Sequence, residues 1–398
     1  MPLIGNVVHP RKGGPNEGRW SQDAFLGMSL RQPRRIERVL GFAGSQALGD
    51  FICENVFYAT IAQMAGAGEL TVIYKNDRPY KEYIVRCNAA ATRGVGFPLN
   101  DAIPFDWLDI GAYAPHVAPH EWWYEQLCHV PDLILTPSMA FVPSLLPDSA
   151  ALRIPPAEVD ALSAALVARG VPREGWFVGL HIREANYRFR PVVDVGRSSD
   201  PQAYLPAIRR IIASGGTVVR IGDPSMTSLP ALQGLIDLTR DPDIFPLHAF
   251  AFSRARFNLT TDSGPTSLSC AFHVPALVTN CFTPAISFHA HDIVVLRRIR
   301  MKDGSIMRPG TPEYAGKFPD LDLRFLAHGQ TDTYDGSEID TIVDNSPEEI
   351  VAATDDMLSA TANVATWREA GQARPVASQQ PFTWPPAYHA PRARVWAR

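Results

Sequence analysis

The sequence predicts an α/β protein of two domains, each built on a parallel sheet. Three observations carry this. The 398 residues exceed one ordinary core, at about 150 residues per domain. Short apolar runs alternate with helix-period segments, as βαβ units require. The alternation runs once, pauses somewhere in 145–172, and starts again.

Residues 1–35 read as an irregular arm. Order begins at RIERVLGFAG (35–44), a short apolar strand ending in glycine. The next segment places Ile52, Val56, Ala59 and Ala62 at helical spacing, with Asp50 as its start and Gly66 and Gly68 as its stop. ELTVIYKN (69–76) is a strand, RPYKEYIVRCN a helix and PDLILTPS (131–138) a strand.

The second half opens with PPAEVDALSAALVARG (155–170), a helix with proline at its start and glycine past its end. WFVGLHI is a strand. DPQAYLPAIRRIIASGG (200–216) is a helix capped by Asp200, with Pro201 at its first position and Pro206 able to kink it. TVVRIGD (217–223), FNLTT (257–261) and VPALVTN (274–280) are strands; LHAFAFSRA (247–255) and GPTSLSCAF (264–272) are helices. Past 285 the pattern weakens until NSPEEIVAATDDML (345–358). There Ser346, Pro347 and Glu349 spell a capping box. The tail is rich in Pro and Trp. The domains are therefore 36–160 and 161–340, with 341–398 a helix and tail packing back on them.

Composition excludes several classes. A net charge of −4 does not suggest a nucleic-acid coat. No apolar run reaches the roughly 18 residues of a membrane span. The polar N-terminus lacks a signal-peptide core. Five scattered cysteines without a CxxC pair fit a reducing compartment and core thiols. A cytoplasmic protein is expected; peripheral membrane contact stays open. HExxH, GxSxG, G-x-G-x-x-G and the P-loop are all missing. His116 and His120 stand four apart, but flanking prolines argue against a helical zinc pair. Trp122, Trp123 and Tyr124 suit a core or a sugar platform. FHAHD (288–292) is a weak candidate for lining a cleft.

The chemistry gathers at strand ends of the second half. Ligands of open parallel sheets bind beyond the carboxyl ends of the strands. His181 and Arg183 follow the first strand there. Arg220, Gly222 and Asp223 follow the second. Thr261, Asp262, Ser263, Gly264, Pro265 and Thr266 stand at the end of FNLTT. Glycine, hydroxyls and a helix start in TDSGPTSL describe an anion site, and Arg183 would add a bidentate donor. Plainer readings stand beside these. TDSGPT can be a capped turn, His181 a satisfied buried histidine, and Arg183 and Arg220 partners of nearby carboxylates. In the first half Gly49 and Asp50 close a strand–helix loop. Asp50 is either a helix cap or a general base kept ionised by the helix end.

GLHIREANY, GGTVVRIGD and TDSGPTSLSCAFHVPALVTN, with the LGDF opening, resemble bacterial glycosyltransferases of the GT-B fold. That resemblance implies two Rossmann-like domains facing across a cleft, with acceptor on the first and nucleotide sugar on the second. LGDF is similar to heptosyltransferases, which implies Asp50 as base. TDSGPTSL is similar to their diphosphate loop. HIREAN is similar to the His-x-Arg-x-x-Asp of fucosyltransferases, implying Arg183 on the β-phosphate; Asn186 replaces the final aspartate. Arg197 and Tyr204 join the donor side.

The expected reaction is sugar transfer from a GDP-, UDP- or dTDP-linked donor to a glycan, small-molecule or protein hydroxyl. It would be inverting, without metal or other cofactor, which agrees with the lack of an Asp-x-Asp pair at a strand end. Closure of the halves would exclude water. An epimerase of the same fold and a non-catalytic nucleotide-sugar-binding scaffold are the alternatives.

Overall fold

The computed structural model describes residues 35–43, 47–97, 133–135, 151–184, 198–241, 245–281, 291–308, 311, 339–363 and 394–395. The expectations placed on 1–34, His116, His120, Trp122, Trp123, Tyr124, Cys128, Arg197 and most of the tail lie outside these residues. The described residues divide into two compact units between Pro155 and Pro156.

The first unit holds β1 (Arg38–Ala43), α1 (Leu48–Met64), β2 (Glu69–Lys75), α2 (Pro79–Cys87), β3 (Arg93–Phe97) and β4 (Leu133–Leu135). Its sheet runs β3-β2-β1-β4, all parallel. Helix α1 is buried nearly all round, so its polar residues bond inward. Asn55 Nδ2 donates to Phe51 O at 2.9 Å and Thr60 Oγ1 to Val56 O at 2.6 Å. The helix ends on Gly66 at φ 59°. The amides of Gly66 and Ala67 reach Gln63 O and Ala62 O, the paired closure of a Schellman motif. A side chain at Gly41 would put Cβ 2.5 Å from the Tyr58 ring, so β1 needs glycine where α1 crosses it.

The expectation of Asp50 as the helix cap is corrected. The helix starts at Leu48 after Ala47, and Asp50 lies within its first turn. Strand β3 was not foreseen, because Gly94 and Gly96 weaken its strand pattern. Packing explains both glycines: a Cβ would meet Val85 at 2.8 Å and the Tyr74 ring at 3.0 Å.

The second unit begins with a 3₁₀ turn (Pro156–Glu158) and α3 (Val159–Ala168), then β5 (Phe177–His181). A second 3₁₀ turn, Pro201–Tyr204, leads into α4 (Leu205–Ala213). Asp200 caps that turn through the Gln202 amide at 2.9 Å. Pro206 has no N–H to continue a helix from the turn, and one predicted helix becomes two segments. Next come β6 (Thr217–Arg220), β7 (Leu235–Asp237), α5 (Phe245–Arg254), β8 (Phe257–Thr261), α6 (Thr266–Ala271) and β9 (Ala276–Cys281). Strands β10 (Ile293–Leu296), β11 (Arg298–Met301), β12 (Ile306–Met307) and β13 (Ile339–Val343) precede α7 (Pro347–Ala360) and β14 (Arg394–Val395).

The main sheet is parallel in the order β14-β10-β9-β8-β5-β6-β7. Read from β7, its first six strands follow the doubly wound order 3-2-1-4-5-6. Helices α4 and α7 cover one face. Ile208, Ile211, Ile350 and Met357 pack there on Val178, Leu180 and Leu259, all buried, each contributing roughly 1.5–3 kcal/mol. Helix α5 lies on the other face, where a Cβ at Gly179 would meet the Phe252 ring at 3.0 Å. Strands β12-β11-β13 form a small antiparallel sheet. The capping box on α7 is present as spelled. Ser346 Oγ accepts from the Glu349 amide at 3.3 Å, and Glu349 Oε2 from the Ser346 amide at 2.8 Å.

Candidate active site at the switch point of the second sheet

The strand order reverses between β5 and β8, so the crevice of a doubly wound sheet opens at their carboxyl ends. His181 closes β5 and Arg183 follows; Thr261 closes β8 and the 262–265 turn follows. Two bonds tie the ends together. The Arg183 amide donates to Thr261 Oγ1 at 2.9 Å, and His181 Nδ1 pairs with Ser263 Oγ at 3.0 Å. Thr266 Oγ1 donates to Thr261 O at 2.6 Å and fixes the turn from the other side.

The turn uses some of the amides expected for an anion. Those of Thr266, Ser267 and Leu268 donate to Ser263 O, Gly264 O and Pro265 O. The amides of Ser263 and Gly264 have no partner among the described residues. Half-buried Arg183 is tied through its backbone amide to Thr261, just before them. Its charge reaches the ring that Ser263 holds: burial first, then Arg183, Arg220 and His248, push the His181 pKa down to about 3. His181 is therefore neutral and 4% exposed. It joins β5 to the turn, the geometry of a satisfied buried histidine.

Arg220 takes the plainer of its two readings, as a partner of nearby carboxylates. Its guanidinium is wholly buried, giving Nη2 to Glu184 Oε1 at 2.7 Å and Nη1 to Thr227 O at 2.7 Å and Asp237 Oδ2 at 3.1 Å. Glu184 completes the lock by accepting from the Thr227 amide at 2.8 Å. Tyr204, placed on the donor side, is buried in the core instead. Its hydroxyl bonds Thr279 Oγ1 at 2.8 Å and Asn280 Nδ2 at 3.2 Å, and burial lifts its pKa to about 12. Asp223 Oδ1 accepts from the Ser225 amide at 2.9 Å and from its hydroxyl, an Asx turn after β6. Gly222 has no room for a side chain, since a Cβ would lie 2.1 Å from Met226 Sδ. Asp262 is 3% exposed in the turn itself. Gly49 and Asp50 belong to the first unit, Gly49 buried and Asp50 exposed. From FHAHD, Asp292 accepts from the Ala276 amide at 2.9 Å. That lies at the amino ends of β9 and β10, opposite the crevice.

The sequence matches no family model and no curated protein. Among solved structures, it resembles that of a glycosyl transferase family 9 protein from Veillonella parvula DSM 2008. There the TM-score is 0.50 at 12% identity, covering 82% of this chain and 98% of that one. The fold is GT-B-like. The ADP-heptose LPS heptosyltransferase II of E. coli gives a TM-score of 0.46 at 12% identity, over 81% of this chain and 98% of that one. Among the described residues no helix is long and apolar enough to cross a membrane.

Glu184, Ser199 and Asn280 were missed as site-supporting residues. Glu184 follows Arg183 directly, but its partner Arg220 is 36 positions away. Only the parallel pairing of β5 with β6 brings the two together.

Proposed function

We propose that this chain is a glycosyltransferase, moving a sugar from a nucleotide-diphosphate donor to an acceptor hydroxyl with inversion and without a metal ion. The observation that carries the reading is the meeting, at one switch point, of Arg183 with the unpartnered amides of Ser263 and Gly264. Departure of a nucleoside diphosphate breaks the bond from the sugar C1 to the β-phosphate oxygen. The electron pair leaves with the phosphate. Oriented amides and a guanidinium stabilise that growing charge most where water is scarce. The acceptor oxygen bonds C1 from the opposite face. Its proton goes to Asp50, the exposed carboxylate in the first turn of α1. The GT-B-like fold supports the division of labour, with acceptor on the first unit and donor on the second.

Transfer from UDP-, GDP-, ADP- and dTDP-sugars to a panel of hydroxyl acceptors tests the reading. Arg183→Ala should lower kcat/KM by the roughly 2–4 kcal/mol that such a donor supplies. Asp50→Asn should abolish transfer while leaving nucleotide affinity intact. Epimerised donor without transfer, or binding without donor consumption under any acceptor, would replace this reading with an epimerase or a scaffold.

A further inference from the structure

Asn280, at the carboxyl end of β9, holds φ at 50°. Residues with a Cβ keep that conformation where the surroundings over-determine it. The surroundings here are a buried polar lock. The Asn280 amide donates to Asn345 Oδ1 at 2.6 Å, and the Asn345 amide donates to Asn280 Oδ1 at 2.6 Å. Asn345 Nδ2 reaches on to Leu296 O at 3.0 Å. The Nδ2 of Asn280 donates to Ser199 Oγ at 2.9 Å and to the Tyr204 hydroxyl at 3.2 Å.

Ser199 is where the lock meets the candidate site. Its amide donates to the carbonyl of Arg183 at 2.9 Å, and the neighbouring Ser198 carbonyl accepts Arg297 Nη2 at 2.7 Å. Arg183 is thus gripped on both sides of its Cα: its amide by Thr261 of β8, its carbonyl by Ser199. A long side chain delivers its charge accurately only if its backbone is fixed, and sites depend on such support to within about half an ångström. Capping α7 does not account for the lock, because Ser346 and Glu349 already do that.

We propose that Asn280, acting through Ser199 and braced by Asn345, is a positioning residue that sets Arg183 against the amides of Ser263 and Gly264. This rests on the reading of Arg183 as a diphosphate ligand.

The test measures the Kd for inorganic pyrophosphate by calorimetry, with amide hydrogen exchange alongside. Asn280→Gly keeps the backbone conformation and removes the side chain. Ser199→Ala is the milder variant, should the first fail to fold. Asn280→Gly should weaken pyrophosphate about tenfold, the scale of couplings carried through packed networks, and Ser199→Ala less. Exchange at residues 182–184 and 198–200 should quicken in both. In an Arg183→Ala background neither change should weaken binding further, a result that a merely structural role would not produce. Equal losses in both backgrounds, or unchanged exchange, would overturn the proposal. A wild type that binds no pyrophosphate would sink the diphosphate reading and the purpose assigned here, while the exchange data would still show whether the clamp holds Arg183.

Discussion

Arg220 and Glu184 show how a residue that looks like a ligand becomes a support. A guanidinium with 0% side-chain exposure and two carboxylate partners has little left to offer a phosphate. Arg220→Ala would strand the Glu184 carboxylate, itself 7% exposed, without its cation. Loss of one member of a buried pair typically costs about 3–5 kcal/mol. A urea midpoint lowered to that extent, with Arg183 intact, is the expected outcome. The buried histidines make a second prediction. Burial holds His181 near pKa 3 and His248 near 4, both below the usual 6.5. Between those values and 6.5 the unfolded chain takes up protons that the folded chain refuses. Stability should therefore fall as pH drops below about 6.5 and be insensitive to these groups above it. The slope is about 1.4 kcal/mol per pH unit for each histidine within its window. Urea titrations at pH 7 and pH 5 measure the fall, and His248→Gln should make it shallower.

At the level of elements, local chemistry predicted most of what formed. The capping box of α7, the proline and glycine brackets of α3 and the apolar runs of β5, β8 and β9 are all local signals, and all appear where expected. Strands β3, β7 and β10–β13 escaped because they are short, glycine-bearing or flanked by irregular sequence. Gly179 illustrates what the pattern could not say. Within β5 it reads as a weakness, yet a Cβ there would sit 2.1 Å from Asn258 Oδ1 on the neighbouring strand. Gly179→Ala should destabilise by about 1–3 kcal/mol through overpacking, read as a lower urea midpoint with an unchanged slope.

For the whole molecule, the mechanism proposed assigns charge stabilisation to a guanidinium and two amides. Transfer should then survive EDTA undiminished, and a rate restored by Mg²⁺ or Mn²⁺ after chelation would contradict it. A nucleoside diphosphate at about 100 times its Kd should add roughly 2.7 kcal/mol of stability, visible as a raised Tm. The TDSGPTSL turn and HIRE were legible as polar segments at strand ends, because their glycine, hydroxyls and cations follow directly on apolar runs. That Arg220 pairs with carboxylates was one of its sequence readings; which carboxylates, the burial of Tyr204 and the bonds of Asn280 were not legible.

The sequence alone determined the alternation of strand and helix, the helix caps and the strand ends that carry polar groups, because each depends on neighbours a few residues apart. Tertiary structure alone decided which of those polar groups are buried against one another and which are left at the crevice. That choice follows from the order of strands in the sheet. Pairing β5 with β6 buries Arg220 against Glu184, and pairing β5 with β8 ties the Arg183 amide to Thr261 at the start of the 262–265 turn.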